Sequence, residues 1–113
     1  MAAFRITPAH DPAVQIEFEV PIKGRQNPLF FAVPRLQYFP LDISQQYKDW
    51  FKEATEKNEA TDRACTLKLL ELLVPKYHDT LAKLTDGELT QISEHWATQS
   101  KAGLGESSAS SDS

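Results

Sequence analysis

The three histidines, His10, His78 and His95, and the single cysteine, Cys65, are the residues best suited to hold a metal or attack a substrate. A structural zinc site needs thiolate and imidazole ligands in closely spaced pairs, and the chain has neither a second cysteine nor a His-x-x-x-His pair. Cys65 cannot form an internal disulfide, and its place in an apolar run predicts a small buried residue rather than a reactive thiol. His78-Asp79 and the serine-rich C-terminal stretch carry the residue types of a hydrolase. No serine, however, sits in the Gly-x-Ser-x-Gly turn that presents a nucleophile above a sheet. Gly24, Gly87, Gly103 and Gly105 form no phosphate-binding loop after a strand. The carboxylates fall mostly on polar helix faces, where solvation accounts for them. The pattern reads as a protein that is not an enzyme, with no metal and no cofactor.

The elements that would position these groups centre on Thr61 to Leu84. Leu67, Leu69, Leu70, Leu72, Leu73, Val74, Tyr77, Leu81 and Leu84 recur at helical spacing over more than half the circumference of a helix. So wide a stripe needs partners on two sides, which predicts the central helix of a small bundle. Pro75 removes an amide donor and biases Val74 toward extended geometry, so a break is expected there.

Upstream, Val14, Ile16, Phe18, Val20 and Ile22 alternate with Gln15, Glu17, Glu19 and Pro21, the period-two pattern of a half-buried strand. Gly24 and Asn27-Pro28 mark a turn, and Leu29 to Val33 is the expected return strand. Pro34 and Pro40 bracket an extended connector whose Tyr38 and Phe39 read as a lid over the core. Asp42 is placed to cap a helix with Gln45 in the capping-box position. That helix has an apolar face of Ile43, Tyr47, Trp50, Phe51 and Ala54 and a solvated face of mixed charge. Asn58 to Thr61 should end it and cap the next. Thr85-Asp-Gly-Glu88 has the spacing of a second capping box and opens a last helix. Its thin stripe of Leu89, Ile92 and Trp96 suggests peripheral packing or a surface for a partner.

The expected fold is therefore α+β and mostly α. An N-terminal β-hairpin, about 13–33, packs on three to four helices at about 43–58, 61–84 (broken near Pro75) and 86–101. Residues 1–102 form one folded domain, and 103–113, rich in Ser and Gly, form a disordered tail.

Composition narrows the function. At 113 residues, with 41% hydrophobic and 25% charged side chains, the chain matches a single ordinary soluble domain. The net charge of −4 is concentrated after residue 40, and no basic cluster offers a phosphate-binding face, which disfavours nucleic acid. No apolar run approaches the roughly 20 residues of a membrane span, and the N-terminus lacks the features of a secretory signal.

The C-terminal stretch from His95 carries a more particular pattern. Trp96, Ser100 and Leu104-Gly105-Glu106-Ser107-Ser108-Ala109-Ser110 resemble the end of the short tail assembly chaperones of long-tailed phages that infect actinobacteria. Lys101-Ala102-Gly103 departs from the family, which more often has Gly followed by an aliphatic residue there. The matched part covers about a sixth of the chain.

The resemblance implies a non-virion assembly factor, working in the host cell cytoplasm, that binds the phage tape-measure protein and keeps it soluble. It also implies a longer form of the protein made by ribosomal frameshifting near Leu104-Gly105-Glu106. A helical client is best held by offered apolar surface. Ile92 and Trp96 on the last helix, and Phe30, Phe31, Tyr38 and Phe39 around the hairpin, are the partner-binding candidates. The hairpin edge leaves room for a homo-oligomer. The alternative is a small virion adaptor, such as a head–tail connector or tail-terminator subunit.

Overall fold

A computed structural model describes residues 3–102 of the chain. The tail expected at 103–113 lies outside them. Two strands, β1 (Gln15–Val20) and β2 (Leu29–Pro34), form an antiparallel hairpin. Four helices follow: α1 (Leu41–Glu56), α2 (Asp62–Leu73), α3 (His78–Leu81) and α4 (Asp86–Ala102). The fold is α+β and mostly α, as the patterning predicts. No described helix is long and apolar enough to cross a membrane.

The hairpin follows from its alternation. Ile16 faces Val33, Phe18 faces Phe31 and Val20 faces Leu29 on the side turned to the helices. All but Phe18 of these are buried, while Glu17 and Glu19 stand in water. Val14 is also fully buried, but it closes a 3-10 turn rather than opening the strand. The Asp11 carboxylate accepts from Ala13 N at 2.8 Å and holds that turn. Phe18 is only half-buried, stacked on Phe31 at 5.3 Å with His95 edge-on at 5.5 Å. The full penalty for truncating a buried aromatic does not apply at this position. β1 ends at Val20, just before Pro21, and Gly24 takes φ +85° in the turn.

The central stretch breaks as Pro75 requires. Thr61 caps α2 by accepting from Ala64 N at 3.1 Å, and α2 stops at Leu73. A 3-10 turn over Pro75–Tyr77 leads into the single turn of α3. Leu70 and Leu81 are fully buried, with Leu84 close behind. Cys65 is half-buried rather than buried, because its helix turn faces a cavity beneath α1.

The start of α1 differs from expectation. Pro40, extended at ψ 145°, is the residue before the helix, and its carbonyl accepts from Ser44 N at 3.0 Å. Asp42 therefore lies inside the first turn, where its charge meets the helix dipole, and Gln45 donates to Asp49 instead of closing a capping box. Asn58 ends the helix in the left-handed region at φ 59°. Glu59 N donates to Ala54 O and Asn58 N to Thr55 O, the paired bonds of a Schellman ending.

The capping box at α4 forms as its spacing requires. Thr85 N donates to a Glu88 carboxylate oxygen at 2.8 Å, and Glu88 N donates to Thr85 Oγ1 at 3.2 Å. The bond from the Thr85 backbone, then that from its hydroxyl, hold the Glu88 carboxyl below its ordinary value of 4.5. A depressed folded-state pKa means that the contribution is present above pH 4.5 and lost as pH falls below it. Glu88→Gln should therefore melt below the parent protein at pH 6, and the gap should close as pH approaches 3. A gap independent of pH in thermal melts would mean that the carboxylate charge is not what stabilises this end.

α4 is not peripheral. Leu89, Ile92 and Trp96 are all buried at 5% exposure or less, because α4 is enclosed by the hairpin on one side and α2 on another. α1 is the outlying helix. It packs chiefly on α2, and only Ala54 of its apolar face is buried.

Candidate functional site

The candidate partner residues divide by burial. Phe31, Ile92 and Trp96 belong to the core, at 7%, 5% and 2% exposure, and present no surface to a second molecule. Their burial reflects the same apolar periodicity that singled them out. Tyr38 and Phe39 are half-buried, with the Phe39 ring 5.7 Å from that of Trp96. Phe30 is 61% exposed on the outer face of the hairpin, opposite Glu19. Of the six, Phe30 alone is openly presented.

Trp96 instead takes part in a clasp between the connector and the end of α4. Trp96 Nε1 donates to Pro34 O at 2.9 Å. Leu36 N donates to Ser100 Oγ at 2.9 Å, and Gln37 Nε2 to Ser100 O at 3.0 Å. Arg35 Nη1 donates to Gln99 O, while its buried Nε has no partner among the described residues. Trp96 and Ser100, the two described positions of the C-terminal pattern, thus share one task. They tie the end of α4 to the connector after the hairpin.

A second long-range clamp was not visible in the residue pattern. Arg63 on α2 donates to Ala82 O at 2.6 Å, Leu84 O at 2.7 Å and Asp86 at 2.9 Å. It closes the carbonyls left open after α3 and ties them to the start of α4.

The exposed apolar surface lies elsewhere. On α1, Tyr47, Trp50 and Phe51 cluster with ring centroids 5.7–6.5 Å apart, and Leu41 and Phe51 are 87% and 43% exposed. Beneath this helix a cavity of about 760 Å³ opens between α1, α2 and α4. Tyr47, Cys65, Leu69, Leu89, Ser93 and Trp96 are among its lining residues. Burial first, then the adjacent Cys65 thiol, push the Tyr47 hydroxyl well above its ordinary value, so it remains a neutral O–H.

Among the described residues that line the cavity there is no histidine to serve as a base. Among the described residues, no three His, Cys, Asp or Glu side chains gather where they could share a metal ion. His78 and Asp79 are 3.9 Å apart, and the Asp79 side chain is fully in water. The arrangement offers apolar contact and hydrogen bonding. Comparison with known protein families, curated proteins and solved structures gives no match for the chain.

Proposed function

We propose that this chain is the short form of a phage tail assembly chaperone, which binds the tape-measure protein in the host cytoplasm and keeps it soluble during tail assembly. The observation that carries the reading is the C-terminal pattern of Trp96, Ser100 and Leu104 to Ser110. The clasp made by Trp96 and Ser100 supports it, because an anchored end of α4 suits a domain shared by a short and a frameshifted long form.

The exposed apolar surface supports it too. Leu41 and Phe51 on α1, and Phe30 on the hairpin, are open to a helical client, whereas the buried Ile92 and Trp96 serve the fold. A domain of this size offers a small patch, and a client hundreds of residues long repeats its apolar stripe many times. Many weak contacts are then favoured over one tight complex.

Co-expression tests the reading. The tape-measure protein of the same phage should be insoluble alone and soluble with this chain, ideally with its longer form present. Phe51→Ser with Leu41→Ser should lower the recovered client while leaving the chaperone folded. A client that stays insoluble with both forms present, or stoichiometric amounts of this chain in purified virions, would sink the proposal. The second result would favour the connector. The nucleotide sequence over codons 102–108 gives an independent check, since a frameshift requires a slippery run there.

A further inference from the structure

Near the start of the described chain, Phe4 and Ile6 are 90% and 72% exposed on either side of Arg5. Alternation of apolar and charged side chains belongs to a strand with one face to bury, yet among the described residues nothing covers this one. The turn that follows is well held. Asp11 N donates to Pro8 O at 3.0 Å, and Gln15 Nε2 donates to Ala9 O at 2.8 Å. It leaves Phe4 and Ile6 in solvent.

A receiving edge exists on the hairpin. Arg35 N donates to Val14 O at 2.9 Å, which sets the phase of the ladder. Alternation then turns the main-chain groups of Ile16, Phe18 and Val20 toward β2, and those of Glu17 and Glu19 toward the opposite edge. Among the described residues no strand takes that edge. Beside it runs a groove of about 430 Å³ between β1 and α4, lined by apolar Phe18, Val20 and Ile92 and by acidic Glu17, Glu19 and Glu88.

We propose that residues 3–7 of one copy of this chain pair with the free edge of β1 in a second copy. The chemistry matches on both faces. A strand added there places Phe4 and Ile6 on the face of Phe18 and Val20, and Arg5 on the face of Glu17 and Glu19. A slip of one residue would bury Arg5 and expose Phe4, so the register is specified. Arg5 is the only Lys or Arg before Lys23, and the outer face of β1 that it joins carries the two carboxylates Glu17 and Glu19. The added strand also supplies partners for main-chain groups of a sheet that is small by itself. The pairing is independent of the function proposed above.

Sedimentation equilibrium of the full chain over rising concentration is the test. The chain should self-associate. Arg5→Glu and Glu19→Arg should each weaken that association by at least about tenfold, through like charges set face to face. The double variant should recover most of the loss. Residues 5 and 19 are exposed, so thermal unfolding in dilute solution should not move in any of the three. A chain that stays monomeric throughout, association unchanged by Arg5→Glu, or a double variant no better than the singles would each overturn the proposal. The monomeric result includes the case in which the segment folds back onto its own β1.

Discussion

Trp96→Ala is expected to destabilise the domain by about 3–5 kcal/mol, as for other large aromatics removed from a core. The indole is 2% exposed and packs with Phe39 between the hairpin and α4. Truncation does two things at once. It opens a cavity, and it leaves Pro34 O without the indole N–H that now meets it at 2.9 Å. Trp96→Phe shifts the balance, because it loses the bond but keeps most of the aromatic volume, for a cost of about 1–3 kcal/mol from the unpaired carbonyl. Trp50→Ala is the internal control. That ring is half-buried on the outlying helix, so its loss should be well below that of Trp96. Urea unfolding of the three variants gives the ranking. A loss below about 1 kcal/mol for Trp96→Ala would mean that the connector is not anchored through this side chain.

The contrast between the two tryptophans shows what a sequence pattern can and cannot carry. By pattern alone, α1 with Ile43, Tyr47, Trp50, Phe51 and Ala54 is the stronger amphipathic helix, and α4 with three apolar residues the weaker. Their roles in the fold are reversed. An apolar stripe reports that a helix can bury a face, not how many neighbours will surround it. α4 is walled on two sides, so three residues suffice, whereas α1 meets chiefly α2 and leaves rings in water.

Local signals fared better because their cause is local. The faces of the hairpin follow from the pleat, the break at Pro75 from a missing donor, and the end of α1 from Asn58 in the left-handed region. The start of α1 was misplaced by one competing local choice. Pro40 already supplied the extended residue that Asp42 was expected to be. The clasp and the Arg63 clamp join residues from 19 to 64 positions apart, and no spacing rule reaches that far. Of the exposed apolar residues, Phe30 is placed by the hairpin register, on the face opposite to the buried Phe31. Phe4, Ile6 and Leu41 were not legible, since exposure is decided by what the rest of the chain fails to cover.

Leu70→Ala should produce a loss of similar size, about 3–5 kcal/mol, the range of leucines removed from sites that cannot collapse. Leu70 is fully buried in the last turns of α2, where the core of hairpin, α3 and α4 meets. Its surroundings are stiff. Val74 N donates to Leu70 O at 2.8 Å just before Pro75, so the backbone cannot slide to close the gap. The adjacent Leu69 gives the comparison. It is half-buried and lines the cavity beneath α1, so truncation there enlarges a space that already exists. Leu69→Ala should cost roughly half as much, on the area-proportional scaling of apolar burial. In a domain of this size each kcal/mol moves the melting temperature by about 4–8 °C, so the two variants should be clearly resolved. Equal losses at the two positions would mean that α2 is rotated about its axis relative to the packing described, with Leu69 sharing the core. A loss below about 1 kcal/mol at Leu70, with the denaturant slope unchanged, would remove α2 from the centre of the fold.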